Sequence, residues 1–480
     1  MKTLVIGLGK SGRAAYDLLV KDGHSVIGTD DNLDHLKKLS SEGIATQADP
    51  RLEEFDLIVL SPGIPPTNRL YAKATELGKE ITGEAELALR RLHQPCIAIT
   101  GTNGKTTVTL LTEHILKSSG LKAKALGNVG TPLTSYLCTN NLKNREFDKE
   151  GPQNFCSERA TIVNRQGASE NKNYETNPTQ SKTDSSSCLC IGEPQEIMVV
   201  ELSSFQLELM KTPVVDIGII LNITPDHLDR YSTMEEYAKA KCRLQDVMKG
   251  PGDFWVHQTV ATEFKSFLSS NYQTYGTGSA CDCWTDKTVL RSGEKIETIL
   301  PNRYRNLGEH ESENVLAAWI LCKKFGIESA SFLAGLETFK KPAHRIEFVA
   351  TLEGVDYFND SKGTNIDATM KAVEAMTKEV ILIAGGVDKG SSYEPWKKSF
   401  AGKVKQVLAI GQAAAKIAAE LKPQFDVEIV ATLQEAVEYA RCQAKEGMSV
   451  LLSPGCSSYD MFEDYADRGD RFKKLVLRGY

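Results

Sequence analysis

No apolar run in the chain approaches the roughly 20 residues that a membrane-crossing helix needs, so insertion into a bilayer is not expected. Positive charge is not in excess either. Lys and Arg number 57 against 63 Asp and Glu, a formal net charge of −6. That balance lacks the basic surface that counterion release on DNA or RNA rewards, and no nucleic-acid partner is expected. A dense, even cysteine framework is also missing. Eleven cysteines scattered over 480 residues do not resemble a small disulfide-stapled secreted domain, and reduced thiols are expected. The pairs Cys188/Cys190 and Cys281/Cys283 are spaced CxC rather than CxxC, with no His-rich tract beside them, so the ligand spacing of a structural zinc site is absent. The first residues, Met1-Lys-Thr-Leu-Val-Ile-Gly7, run straight into a strand pattern without a signal-peptide layout, which makes a cytoplasmic protein the expectation.

What is present is a soluble globular enzyme's composition, 41% hydrophobic and 25% charged, on a chain long enough for several domains. The start reads as βαβ. A strand over 3–7 meets the turn Gly7-Leu-Gly9-Lys-Ser-Gly12, then helical spacing over 13–21 and a strand over 25–29. A further strand over 55–60 ends in Ser61-Pro62-Gly63, a turn placed where a parallel sheet presents its ligand loops. A second unit opens with the strand 96–100, a glycine-bearing loop and helical spacing over 108–117, and continues with strands over 196–201 and 216–222 and a helix over 234–248 behind Thr233. The third has apolar strands over 380–383, 407–410, 427–430 and 449–452 with helical stretches between them. The expectation is three α/β domains: a Rossmann-like domain over 1–93, a central P-loop ATPase-like domain with a mostly parallel sheet over 94–341, and a Rossmann-like domain over 342–480. Residues 139–194, rich in Asn, Ser, Thr, Gln and charge, read as a polar surface-loop insertion.

The sharpest chemical signal is the loop Gly101-Thr102-Asn103-Gly104-Lys105-Thr106-Thr107. Its glycines let backbone N–H groups approach phosphate oxygens, Lys105 can reach the β/γ-phosphates, and Thr106 can ligate Mg²⁺. Only the shorter G-x-x-G-K-T core is present, because Ile99 stands where the full P-loop pattern has glycine. Gly7-x-Gly9-x-x-Gly12 followed by Asp30 and Asp31 fits a dinucleotide fingerprint and, taken alone, indicates an NAD-dependent dehydrogenase. Two phosphate-binding turns in one chain favour a different arrangement, with ATP on one and a nucleotide-tagged substrate on the other.

The stretch Ala98-Ile-Thr-Gly-Thr-Asn-Gly-Lys-Thr-Thr107 resembles the ATP loop of the Mur ligase family, a group that includes folylpolyglutamate synthetases. Further stretches agree in order: Gly127-Asn128-Val-Gly130, Glu201-Leu-Ser-Ser-Phe-Gln206, Asn222-Ile-Thr-Pro-Asp-His227-Leu-Asp-Arg230, Tyr237-Ala-Lys-Ala-Lys241, His344-Arg345-Ile-Glu347, Asn359-Asp360-Ser-Lys362-Gly-Thr364-Asn365 and Ser453-Pro-Gly-Cys-Ser-Ser458. Within the family, Asn-Asp-Ser-Lys, Gly385-Gly-Val-Asp-Lys389-Gly390 and the Gly-Leu-Gly-x-Ser-Gly start are most similar to the D-glutamate-adding member. A member adding another amino acid is the alternative.

The resemblance implies an ATP-dependent acid–amino-acid ligase with ATP and Mg²⁺, acting on UDP-N-acetylmuramoyl-L-alanine and D-glutamate as a monomer. It implies Thr106 and Glu201 at one Mg²⁺, and His227 with Lys241, the lysine as a carbamate, at a second. Lys105, His227, Lys241 and Lys362 become the catalytic set. Arg345, Asp360 and Asn314 join the loop as ATP contacts, and Thr364, Lys389, Ser458 and Tyr465 are implied at D-glutamate. Ser11, Asp30, Asp31, Ser61 and Gly63 are implied around the UDP moiety, with Asn128 and His227 at the muramoyl-alanine end. This chain departs from the family pattern in its polar insertion, in Gly363 where alanine is common, and in Gly308-Glu-His310-Glu311-Ser-Glu-Asn314, where Glu311 replaces an amide.

Overall fold

The computed structural model describes residues 1–128, 131–139, 195–305 and 308–478; the polar insertion lies outside the described residues from 140 to 194. Three α/β units follow one another along the chain, each on its own sheet. None of the described helices is long and apolar enough to cross a membrane.

The first sheet has the order Ser25–Thr29, Lys2–Ile6, Leu57–Leu60, Glu80–Gly83, all parallel. Its strands read as near-continuous apolar runs because both faces are covered, and every residue of Leu57–Leu60 is buried. The first helix, Lys10–Lys21, begins three residues before the apolar spacing predicts, at the Gly9 N-cap. Lys10, Ser11 and Gly12 carry no apolar signal, yet Gly12 must be glycine. A Cβ there would sit 1.8 Å from the Gly7 carbonyl oxygen.

The central sheet runs Lys295–Ile299, Val289–Ser292, Cys283–Thr285, Gln273–Gly276, Phe254–His257, Ile217–Ile220, Cys96–Thr100, Ile197–Glu201, Ala123–Gly127. Neighbours pair in parallel from Ala123–Gly127 to Cys283–Thr285; the last two strands are antiparallel. That antiparallel edge was not expected, since its short strands mix polar and apolar residues. The helix expected over 234–248 is Met234–Cys242 followed by a 3-10 turn, Arg243–Val247. The tighter turn aligns residues three apart, which buries Leu244 and Val247 together.

The third sheet has the order Glu347–Leu352, Val355–Asn359, Ser449–Leu452, Val380–Gly385, Val404–Ile410, Asp426–Ile429, parallel except for the leading hairpin. The hairpin also escaped the sequence reading. Trp396, fully buried between Tyr393 and Phe400, anchors one side of this unit. In the central sheet the adjacent strands Cys96–Thr100, Ile197–Glu201, Ala123–Gly127 and Ile217–Ile220 all end on the same side. That is where a parallel sheet exposes its ligand-facing loops.

Candidate active site

The strand Cys96–Thr100 delivers the glycine loop, and the helix Lys105–Ser118 leaves it at Gly104, which is left-handed at φ 87°. No side chain caps that helix, so its first N–H groups remain available to an anion. The loop is held from below. Asn222 Oδ1 accepts from the Asn103 N–H at 2.8 Å while Asn222 Nδ2 donates to the Asn103 carbonyl at 3.0 Å. Lys105 Nζ donates to the Gly101 and Thr102 carbonyls, each at 2.8 Å. Burial holds its ammonium below the usual lysine range, with Glu201 and Asp226 pulling the other way. Thr106 Oγ1 donates to Glu201 Oε2 at 2.9 Å, and Asn128 Nδ2 donates to Glu201 Oε1 at 3.2 Å. Two expected residues, Thr106 and Asn128, therefore converge on the buried carboxylate of a third, Glu201.

The loop after Ile217–Ile220 brings His227, whose backbone is left-handed at φ 56°, to the same region. Burial pushes its imidazole down to about 3, against the pull of Asp226, so the ring is neutral near pH 7. Lys241, on Met234–Cys242, is only 2% exposed. Its Nζ donates to the Gly101 carbonyl at 2.9 Å and lies 4.6 Å from the centre of the Tyr237 ring. Burial first, and Lys105 second, drive its amine far below the usual lysine range. Neither Lys241 nor Gly101, the loop residue whose carbonyl it meets, is on the cavity wall.

One cavity of about 1040 Å³ takes its walls from all three units. The third contributes Arg345, Asp360, Lys362, Thr364, Lys389, Ser458 and Tyr465, and the central one adds Asn314 and residues 102–107. Arg345 Nε is buried without a hydrogen-bond partner among the described residues. Asp360 is raised to about 7 by burial, despite accepting from Ser453 Oγ at 2.7 Å. Burial lowers Lys362 to about 8, and its Nζ sits 3.8 Å from the Tyr465 ring centre. Lys389 Nζ donates to Asp226 Oδ1 at 2.9 Å across the boundary between the second and third units.

From the first unit the wall includes Ser11, Ser61 and Gly63, but not Asp30 or Asp31. Asp30 is occupied locally, accepting the Leu8 N–H at 2.8 Å and the Asn32 N–H at 3.0 Å, so it braces the glycine turn. Asp31 accepts from Asn68 Nδ2 at 3.1 Å. Of the residues expected around the uridine nucleotide, Ser11, Ser61 and Gly63 are brought to this cavity and Asp30 and Asp31 are not.

Several residues were quoted within motifs without being given a role. Asp226 is the hub: it accepts from Lys389, from the His227 N–H at 2.9 Å and from Asn365 Nδ2 at 3.2 Å. Burial alone would raise its acid, and Lys389 followed by His227 overrides that, holding it at about 2. Asp367 accepts from Asn103 Nδ2 at 2.7 Å, and Asn365 Nδ2 also donates to Asn103 Oδ1 at 3.1 Å. Arg230 donates to the Pro62 and Ile64 carbonyls, at 3.4 and 3.2 Å, and to Glu208 at 2.7 Å. It thereby fixes the first unit's Ser61–Gly63 turn to the second unit. The motifs carried Asp226, Arg230 and Asn365, while Asp367 and Glu208 lie just outside them, and the pairings span up to 264 positions and leave no local mark.

A phosphate loop that faces an arginine and two lysines of another α/β unit across a single cavity is the frame of an enzyme that brings a nucleoside triphosphate and further anionic substrates together. The chain belongs to the Mur ligase family: residues 1–83 match the MurD-like N-terminal domain, 99–322 the Mur ligase middle domain and 344–456 the Mur ligase glutamate ligase domain. Among individual proteins it is 44% identical to the UDP-N-acetylmuramoylalanine--D-glutamate ligase of Protochlamydia amoebophila, over 99% of this chain and 97% of that protein. It is 37% identical to the enzyme of the same name from Pelotomaculum thermopropionicum, with the same coverage. The fold is shared with the UDP-N-acetylmuramate-alanine ligase MurC of Thermotoga maritima, at a TM-score of 0.56 and 16% identity over 99% of this chain and 98% of that one.

Proposed function

We propose that this protein is an ATP-dependent ligase that joins D-glutamate to UDP-N-acetylmuramoyl-L-alanine in peptidoglycan synthesis, releasing ADP and phosphate. The full-length likeness to ligases of that name carries the reading. In this assignment residues 1–93 take the uridine nucleotide, 94–341 take ATP and 342–480 take D-glutamate. The L-alanyl carboxylate attacks the γ-phosphorus to form an acyl phosphate. The D-glutamate amine then attacks the acyl carbon, and phosphate leaves.

Every reactant is anionic, so the site must supply positive charge before the reaction begins. Lys105 and the loop's N–H groups hold the β/γ-phosphates. Arg345, whose Nε has no hydrogen-bond partner among the described residues, and Lys362 meet the transferring phosphoryl group from the opposite wall. Asn314 and Asp360 contact the nucleoside. Lys389, Thr364, Ser458 and Tyr465 hold D-glutamate, the ammonium against a carboxylate and the hydroxyls donating. Ser11, Ser61 and Gly63 face the diphosphate, while Asn128 and His227 orient the reacting alanine.

The donor set fits Mg²⁺. Thr106 Oγ1 and Glu201 Oε2 converge at 2.9 Å as hard oxygen ligands, leaving the remaining positions to phosphates and water. A second ion would be held by neutral His227 and by Lys241 as a carbamate. A protonated lysine is no ligand, but burial disfavours the charged form of Lys241 and so favours the neutral amine that reacts with CO₂. When bound, Mg²⁺ neutralises the charge developing on the phosphoryl group. Dependence on ATP and a UDP-linked substrate supports a cytoplasmic enzyme, and a single chain supplying every group named supports a monomer.

The test is phosphate release from ATP and Mg²⁺ with UDP-N-acetylmuramoyl-L-alanine, comparing D-glutamate with L-glutamate, L-alanine and no amino acid. Release that needs both the nucleotide and D-glutamate is expected. Turnover with a different amino acid would keep the family and discard the D-glutamate assignment.

A further inference from the structure

The strands Val380–Gly385 and Ser449–Leu452 are parallel neighbours, so the loops that leave their ends run side by side and carry Lys389 and Ser458 to the cavity wall. One antiparallel bridge ties these loops together. The Val387 N–H donates to the Ser457 carbonyl at 2.9 Å, and the Ser457 N–H donates back to the Val387 carbonyl at 3.2 Å. A single bridge fixes the separation at one point and still lets the loops pivot about it. At the next opposed positions, Asp388 and Cys456, the tie is a side chain: Tyr393 Oη donates to Asp388 Oδ1 at 3.1 Å and lies 3.1 Å from Cys456 Sγ.

The direction of each bond follows from the groups. A carboxylate only accepts, so the one phenolic hydrogen goes to Asp388 and the thiol hydrogen of Cys456 goes to the phenolic oxygen. Burial pushes the thiol up to about 11 and lifts the phenol above its usual range, so both hydrogens are in place near pH 7. Tyr393 is itself locked, 1% exposed, its N–H donating to Glu420 Oε2 at 2.6 Å and its ring edge-on to Trp396 at 4.9 Å. Lys416 Nζ donates to Asp388 Oδ2 and to the Ser391 carbonyl, each at 2.8 Å, and so compensates the carboxylate. Asp388, Tyr393 and Cys456 are all off the cavity wall, so this group acts through Lys389 and Ser458 and not on a ligand.

We propose that Tyr393 is a positioning residue that sets the separation of Lys389 and Ser458 through Asp388 and Cys456, and thereby the length of the amino-acid dicarboxylate that the third unit accepts. The inference rests on the reading of Lys389 and Ser458 as the D-glutamate subsite and adds to it the origin of its length selection. Groups held at a fixed gap reject a diacid one methylene too short, because one of them is left unpaired; loops free to pivot adapt to it.

The experiment measures phosphate release by wild type, Tyr393→Phe, Cys456→Ala and Cys456→Ser with D-glutamate, D-aspartate and D-2-aminoadipate, the last two being one methylene shorter and longer. KM for ATP and for the uridine nucleotide is measured on the same preparations. Wild type should prefer D-glutamate to either homologue by about tenfold or more. Tyr393→Phe keeps the ring packing and removes only the hydroxyl. It should raise KM for D-glutamate about three- to tenfold and cut the preference by a similar factor, while KM for ATP and for the uridine nucleotide stays within about twofold. Cys456→Ala should shift the preference in the same direction, and Cys456→Ser, whose hydroxyl still donates to the phenol, should keep most of it. A preference unchanged in Tyr393→Phe, or an equal rise in KM for every substrate, overturns the proposal alone. Wild-type turnover with a different amino acid discards the D-glutamate assignment, and the same comparison then runs on that amino acid and its homologues. A wild type silent with every amino acid overturns the ligase reading and takes the proposal with it.

Discussion

Replacing Lys389 by Met should weaken the docking of the third unit on the second, by an amount that depends on pH. Asp226 and Lys389 meet at 2.9 Å with side chains 8% and 12% exposed, so solvent screens the pair poorly. In the variant the Asp226 carboxylate keeps the His227 N–H and Asn365 Nδ2, both neutral donors. Burial raises this acid and Lys389 is the main group that lowers it to about 2. Against an unfolded value of about 3.9, that depression corresponds to about 2–3 kcal/mol of stabilisation. Because the folded value is the lower one, the stabilisation is complete above about pH 4 and is lost as pH falls toward 2. Removing one member of a buried pair leaves an uncompensated charge, so the expected cost at pH 7 is about 2–4 kcal/mol. At pH 3 the variant's Asp226 is protonated and the wild type has lost part of its advantage, so the gap should narrow. Urea unfolding monitored by tryptophan fluorescence at both pH values measures this; the transition to follow is the first, where the two units separate. Asp226→Asn, alone and in the Lys389→Met background, completes the cycle and should reveal a coupling of about 1–3 kcal/mol. A coupling below about 0.5 kcal/mol, or a gap undiminished at pH 3, would refute the reasoning.

Lys241→Ala should lower kcat by about 100-fold or more, and added formate or acetate should restore part of it by standing in for the carbamate oxygens; indifference to those acids counts against the modified lysine. Lys362, lowered to about 8 by burial, should give kcat/KM a falling limb above that pH as its ammonium is lost, and Lys362→Arg should move the limb upward. Arg230→Ala frees the carbonyls of Pro62 and Ile64, removes the arginine from Glu208, and should raise KM for the uridine nucleotide about three- to tenfold while leaving KM for ATP unchanged, because the lost joint is the one that holds the first unit's turn.

The parts legible from sequence were those with local signatures. Strands such as Cys96–Thr100 and Ser449–Leu452 are short apolar runs bounded by turn residues, and both were placed to the residue. The antiparallel edge Cys283–Ile299 and the hairpin Glu347–Asn359 were missed because half-exposed strands lack a continuous apolar run, and Phe348 at 56% exposure even puts a large apolar residue outside. The glycine loop announced itself through residue type and spacing. Asp30 and Asp31 were named from their spacing after the glycine turn and from the family resemblance; a one-dimensional pattern does not show that Asp30 also braces the turn that precedes it. Asp226 was overlooked for the opposite reason: its partner Lys389 lies 163 positions away, and a buried acid is identifiable only once its counter-charge is in place.

That long-range pairing bears on how the site works. Asn103 belongs to the phosphate loop, yet its side chain is bonded to Asp367 and Asn365 of the third unit, and Asn365 is bonded in turn to Asp226. The loop's shape and the docking of the third unit are therefore one network. A group that shifts Asn103 on binding phosphate must strain or tighten the contacts to Asp367, and a unit that swings away must release Asn103. An acyl phosphate is destroyed by water, so its formation gains from being possible only when the opposite wall is present. On the proposed assignment, Arg345 and Lys362, which sit on that wall, would reach the phosphoryl group under the same condition that sets Asn103. The coupling follows from a few neutral amides and one carboxylate at the start of the helix Ile366–Ala375, and it needs no separate lid.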